Sequence, residues 1–318
     1  MKAQRGAAIL TAMLLVTLVA TLSAAALWQQ WRAIEVETAE RASAQSRWLL
    51  QGAADWARLI LREDARNATV DHLGEPWAVT LQEAQLSSFL GNSTEALGEN
   101  LQGAYLSGQI TDLQSRLNVL NLVQDGRVHA PTLQAFGRLF EALQLPPAEL
   151  MVLVAQLQAA LAAPESTTST SAGNLLHPLL PRSPEQLAWL GLSAGTVARL
   201  QTHVVVLPER TPVNLNTASA LVLHASIPAL DLALAQRLVQ SRAQNHFRSL
   251  ADVVQASGIA ELALNDGMHS VGSRYFDVRV RLRLGSVLSQ EHTRMQREGL
   301  LVKALWTTRE TPQGASVQ

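Results

Sequence analysis

Between Gly6 and Gln29 the chain carries no charged side chain. The 22 residues from Ala7 to Trp28 offer nothing more polar than Thr11, Thr17, Thr21 and Ser23. At about 1.5 Å per residue, a helix over that run covers about 33 Å, enough to cross a hydrocarbon core of roughly 30 Å. Lys2 and Arg5 stand in front of it. Whatever follows must fold while tethered.

Three readings fit this start. A secretory signal has the same basic opening and could be cut near Ser23–Ala26. A plain anchor explains the length and, by the positive-inside rule, keeps the N-terminus cytoplasmic. The third uses Gly6, which abuts the apolar run directly: RG followed by AAILTAMLLV resembles the short basic leader of type IV prepilin-like proteins. In that group a prepilin peptidase cuts after the glycine, here Gly6, and the new N-terminus, here Ala7, is methylated while the apolar run stays as an anchor.

The helical signal continues past the membrane. From Gln29 to Asp64 there is no proline and one glycine, Gly52, and Ala42, Leu49, Ala53, Trp56 and Ile60 recur at 7, 4, 3, 4 spacing, one helical face. Glu37 and Arg41 form an i, i+4 pair, and Trp28 and Trp31 fall where a membrane meets water. One long rod is expected.

Composition narrows the chemistry. There is no cysteine among 318 residues, so disulfides, thiolate catalysis and cysteine-based zinc sites are excluded. A net charge of −1, without an arginine stripe, argues against a protein that holds nucleic acid by neutralising phosphates.

Downstream, Asp71, Gly74 and Pro76 end the rod, and 91–100 reads as an exposed loop. Two or three antiparallel strands are expected between Gln102 and Val123. The stretch 128–163 is helical, with Pro146 and Pro147 separating two helices. Residues 163–174 form a Ser/Thr-rich linker, and Ser183-Pro184-Glu185 opens another helix. Gly191–Gly195 matches the G-x-S-x-G pattern of hydrolases, with His203, His224 or His246 as conceivable bases. Its feeder, EQLAWL, is helical rather than a strand, so a turn between helices explains Ser193 better.

Residues 211–259 pattern as three short helices, the first capped through Asn216 or Thr217, with Leu221, Ile227, Ala235, Leu238, Val239, Phe247 and Leu250 inward. The unit resembles a helix-hairpin-helix of the kind found in some DNA-uptake proteins. Its hairpin, Ala225–Asp231, has no glycine and ends on a carboxylate, so phosphate finds no cradle. From 274 the alternation of Phe276, Val278, Val280 and Leu282 with Asp277, Arg279, Arg281 and Arg283 begins three closing antiparallel strands, about 274–284, 286–296 and 299–307. The arginine row reads as a solvated sheet face, and 310–318 as a disordered tail.

Taken together, the leader, VDHLGEPWA, DLQSRLNVLNL, an inserted helical region holding PVNLNTASA, and YFDVRVRLRLG are similar to the general secretion pathway protein K family, the large minor pseudopilins of type II secretion systems. The resemblance spans nearly the whole chain. It implies an α+β, pilin-like fold: a leader at 1–6, an N-terminal helix at 7–66 with 7–28 in the membrane, an α/β domain from 67–123 and 270–309, and an α-helical insertion at 124–269.

The implied role is structural, not enzymatic: a component of the pseudopilus tip that initiates assembly and supports protein export. The anchor would sit in the bacterial inner membrane with the N-terminus cytoplasmic and the globular part periplasmic. Its partners would be other minor pseudopilins, the major pseudopilin and the prepilin peptidase, with no nucleic acid. Most pilin-like proteins carry glutamate at the fifth mature position, where it neutralises a neighbour's N-terminus. Here that position is Thr11, which suits a subunit with none ahead of it. Some members bind calcium, and Asp252, Glu261, Asn265 and Asp266 are available without EF-hand spacing. The competing reading is a membrane-tethered helix-hairpin-helix DNA-binding protein.

Overall fold

The computed structural model describes residues 5–90, 103–162, 178–259, 262–285 and 287–310. The expected loop at 91–100, the linker and the tail beyond residue 310 lie outside them.

Helix α1 runs from Arg5 to Asn67, 63 residues or about 95 Å. Among the described residues, one helix is long and apolar enough to cross a membrane. Its first 34 described side chains, from Ala8 to Arg41, are all exposed, and contact with the rest of the chain concentrates in its last third. There Leu50, Ala54, Ala57 and Leu61 are buried against a five-stranded antiparallel sheet. A 3-10 turn at Pro76–Ala78 places Trp77 edge-on to Phe276 in the same core.

The sheet is built from β1 (Leu81–Gln85), β2 (Ala104–Asp112) and three strands from the end of the chain. A single turn, α2 (Ser87–Leu90), follows β1. The sequence pattern gave no sign of β1, whose burial does not alternate cleanly.

After β2 the further antiparallel strand expected before Val123 does not form. Two 3-10 turns, Leu113–Ser115 and Val119–Leu122, flank the two-residue β3 (Leu117–Asn118). Asp112 and Asn118 cause this by accepting the backbone N–H groups of Gln114 and Leu120, bonds that compete with a sheet ladder. The tight hairpin β4 (Val123–Gln124) and β5 (Arg127–Val128) turns on Asp125 and Gly126, both at positive φ.

Helices α3 (Ala130–Ala142) and α4 (Pro147–Leu161) come next, with Pro147 at the first position of α4. A 3-10 segment, Pro184–Leu190, leads to α5 (Ala194–Leu200). Beyond lie β6 (Val204–Val205), β7 (Val213–Asn214), α6 (Ala220–Ser226), α7 (Leu232–Gln244), α8 (Leu250–Ser257) and β8 (His269–Ser270). Short parallel bridges join β3 to β6 and β7 to β8. These elements share a second core containing Phe136, Phe140, Leu153, Leu200, Leu238 and Phe247. Each large side chain so buried contributes about 1.5–3 kcal/mol.

The chain then returns to the sheet as β9 (Tyr275–Leu284), β10 (Val287–Glu298) and β11 (Leu301–Glu310). The order is β1-β2-β9-β10-β11, so β9 pairs directly with β2 although residues 113–274 intervene. The helical block leaves and re-enters the sheet at one place, where Asp112 faces Phe276.

Candidate functional site

Two features stand out: the outer surface of α1, and the polar junction where the helical block meets the sheet.

The sheet covers Leu50, Ala54, Ala57 and Leu61, a 4, 3, 4 spacing. The face expected from the sequence, Ala42, Leu49, Ala53, Trp56 and Ile60, sits to one side of it: Leu49, Ala53 and Ile60 are partly buried against the same core, while Trp56 is 46% exposed. The offset has a cause. At 100° per residue the apolar arc continues round the helix to Trp48, Gly52 and Leu59, and spans more than half the circumference. Arg47, Asp55, Arg58 and Arg62 occupy the rest.

Trp48 is 77% and Leu59 50% exposed. Hollows of about 370 and 240 Å³ run between this arc and the β1 side of the sheet, lined by Trp48, Leu49, Gly52, Ala53, Leu86, Leu106 and Val79. A Cβ on Gly52 would meet nothing within 4 Å. Nearer the membrane run, Trp28 and Trp31 are 61% and 62% exposed.

The junction is buried and polar. Asp112 Oδ2 accepts from Asn214 Nδ2 (3.0 Å), Thr217 Oγ1 (2.5 Å) and Ser273 Oγ (2.6 Å), while Oδ1 accepts from Gln114 N–H (2.8 Å). All four donors are neutral, so burial pushes its carboxyl up to about 6. Asn214 also donates to the Asp71 carbonyl, and Ser273 N–H donates to Asp71 Oδ2 at 2.7 Å.

Arg297 completes the network from β10. Its Nη2 reaches both Asp71 oxygens at 2.5 and 2.6 Å and the Ser273 carbonyl at 2.9 Å, and its Nη1 reaches Asp64 Oδ2 at 2.7 Å. Burial raises the Asp64 and Asp71 carboxyls against the pull of this guanidinium. Gly272 is needed here: a Cβ would stand 2.9 Å from the Thr69 carbonyl oxygen. One network thus ties the end of α1, the turn after it, β2, β10 and the helical block.

Asp64, Asp71 and Glu75 could by spacing alone hold a cation. Arg297 already fills that role for the first two, and Glu75 accepts from His72 N–H and Trp77 Nε1. Of the residues weighed for calcium, Asp266 is exposed in the turn before β8. Asp252 forms the capping box of α8 with Ser249, Asn265 Oδ1 accepts from Met268 N–H, and Glu261 lies outside the described residues.

Other sequence motifs resolve into structure. Ser193 N-caps α5, and its hydroxyl bonds Glu149 and Thr196, not a histidine. A 3-10 segment feeds the turn, so no nucleophile elbow exists there. The cap of α6 is Ser219, not Asn216 or Thr217. Asn216 instead clamps Phe247 through both its amide atoms, at 2.8 and 2.9 Å.

In the hairpin between α6 and α7, Ala229 takes φ 66° and Asp231 caps α7, accepting from Leu234 N–H at 2.7 Å. That carboxylate occupies the place a phosphate would take. The arginine row is partnered: Arg279 with Asp277, Arg281 with Gln290, and Arg283 with Glu83 and the Tyr105 ring. Thr11 lies on α1 with its hydroxyl donating to the Ala8 carbonyl at 3.0 Å. Gly6 and Ala7 lie in the first turns of the same helix.

A long N-terminal helix, apolar at its start and laid by its last third on an antiparallel sheet, defines a pilin-like subunit, here enlarged by a helical block between adjacent strands. Family models described as type II secretion system protein K match residues 115–209 and 213–272. Type II secretion system protein K of Pseudomonas aeruginosa is 27% identical over 89% of this chain and 86% of its own length. That of Klebsiella pneumoniae is 27% identical over 93% of both. A chain from the crystal structure of the GspK-GspI-GspJ complex of enterotoxigenic Escherichia coli shares the fold, with a TM-score of 0.64 and 18% identity over 86% of this chain and 98% of that one.

The chain is thus similar, over nearly its whole length, to the type II secretion system protein K family, and that likeness supports a minor pseudopilin. The family is a structural component of secretion and not an enzyme family.

Proposed function

We propose that this subunit sits at the tip of the periplasmic pseudopilus, helps start its assembly and supports protein export across the outer membrane. The observation that carries the reading is the surplus apolar arc of α1, wider than its own sheet covers. The N-terminal helix of another pseudopilin is its fitting occupant, since Gly52 allows close helix approach and Trp48 and Leu59 give buried area to a neighbour. The crystallised relative's complex with GspI and GspJ supports partners of this kind.

The tip position rests on two further features. Thr11 stands where a buried carboxylate would need a neighbour's amine. The helical block would also obstruct close packing on every side of a shaft. We read 1–6 as a leader removed by prepilin peptidase, Ala7 as the methylated mature N-terminus, 7–28 as the inner-membrane span, and the rest as periplasmic. On this reading 67–123 with 270–309 is the pilin-like domain, and 124–269 the insertion.

Intact-mass analysis of the membrane-extracted protein should show loss of Met1–Gly6 and a methylated Ala7, and the protein should co-purify with other minor pseudopilins. An N-terminus at Met1 or beyond Ala26, or a lack of partners, contradicts the proposal.

A further inference from the structure

Between the turn after α1 and the end of α7 lies a cleft of about 410 Å³, lined by His72, Gly74, Asn216, Arg242, Gln244 and His246 among others, and by no acidic side chain. Arg242 is the singular member. It is 8% exposed, and its Nη1 donates to the Leu215 carbonyl. No carboxylate pairs with it among the described residues, and burial alone pulls its guanidinium down to about 10. The contrast with Arg297, equally buried but held by two carboxylates, is direct. A buried guanidinium without a counter-anion is costly, by several kcal/mol.

The neighbours suit an anion. His72 and His246 stack with centroids 3.8 Å apart and planes 7° from parallel. His72 Nδ1 accepts from Gly74 N–H at 3.1 Å, which leaves its ring proton on Nε2. Glu75 lies 3.9 Å from that nitrogen, outside the cleft lining, and its other oxygen accepts from His72 N–H and Trp77 Nε1. Arg248 adds positive charge beside His246.

We propose that this cleft is a carboxylate-binding site, with Arg242 gripping the anion and Gln244 and His246 donating at its sides. It goes beyond the assembly role and does not depend on it. His72, Leu73 and Gly74 belong to the turn after α1 and the other lining residues to the helical block, so a bound carboxylate bridges the two. The carboxylate comes either from a free small molecule or from an acidic side chain of a partner subunit.

The test uses the full chain in detergent with ¹³C-labelled histidine, and sodium acetate replacing sodium chloride at constant ionic strength and pH. Acetate should shift the His72 and His246 ring signals saturably and raise Tm. Gln244→Glu, which tethers a carboxylate in the cleft, should raise Tm without acetate and cancel the acetate response; Arg242→Gln should also abolish it. Equal effects of acetate and chloride, or a full acetate response in Gln244→Glu, would overturn the proposal. Repeating the titration on the complex with partner pseudopilins separates the sources. A response lost on assembly assigns the site to a partner's side chain, and one retained assigns it to a free carboxylate.

Discussion

Replacing Arg297 with methionine removes the one cation from a buried cluster while keeping much of the side-chain volume. Asp64 and Asp71 then face each other without a counterion, in a group where carboxylate oxygens of Asp64, Asp71 and Glu75 lie within 4.8 Å of one another. Breaking a buried pair by deleting one partner costs about 3–5 kcal/mol. For a folded part of this size, with about 2–4 °C of Tm per kcal/mol, that is a drop of about 6–20 °C.

The pH dependence gives a second check. Burial already raises both carboxyls in the wild type, and loss of Arg297 raises them further. A carboxyl with a raised folded pKa favours the folded state at low pH, and that advantage is lost as pH rises through the folded pKa. The Arg297→Met deficit should therefore be larger at pH 7.5 than at pH 5. Thermal unfolding of the full chain in detergent, followed by circular dichroism at both pH values, reads it. A change under about 1 kcal/mol at pH 7.5, far below the cost of an unpaired buried charge, or a deficit that grows on acidification, would refute the reasoning.

Asp112→Asn points an amide at three donors and should cost about 1–3 kcal/mol at pH 7.5; equal denaturant midpoints would count against the hydrogen-bond pattern. Because Asp112 titrates near 6 when folded, wild-type stability should fall as pH rises from about 4 through 6, the unfolded value lying near 3.9. The asparagine variant should lack that part of the profile. Thr11→Glu should alter the order or efficiency of pseudopilus assembly, scored by secretion of an exoprotein, and unchanged secretion would weaken the tip assignment. Gly272→Ala should lower Tm by forcing the Thr69 carbonyl away, and an unchanged Tm would show that the turn yields freely.

Much of this architecture is legible in the residues. The uncharged run and the proline-free stretch after it announce α1, and the alternation of Phe276, Val278, Val280 and Leu282 announces β9. The face of α1 that periodicity picks out only borders the most buried one, because periodicity averages every apolar position. It cannot tell the residues that meet the chain's own sheet from those left for a neighbour.

The junction leaves no local trace. Asp71, Asp112, Asn214, Ser273 and Arg297 are separated by up to 226 positions, and each is an ordinary polar residue in its own neighbourhood. One signal was available: Glu291, Thr293 and Arg297 share the inward register of β10 with Met295, and polar side chains there call for buried partners. The 3-10 turns after β2 pass for strand in the sequence because Leu113, Leu117 and Val119 fall on one period-two register, although they serve two different cores.

The central claim is that the uncovered arc of α1 docks another pseudopilin. Gly52→Leu tests it with little disturbance to the fold, since the position opens on empty space and leucine favours the helix by up to about 1 kcal/mol over glycine. The measurement is co-purification of other minor pseudopilins with the full chain, wild type against Gly52→Leu, from detergent-solubilised membranes of cells making the whole secretion system. The expected result is an unchanged or higher Tm together with loss of the co-purifying subunits. Full recovery of those partners with the leucine variant would contradict the account.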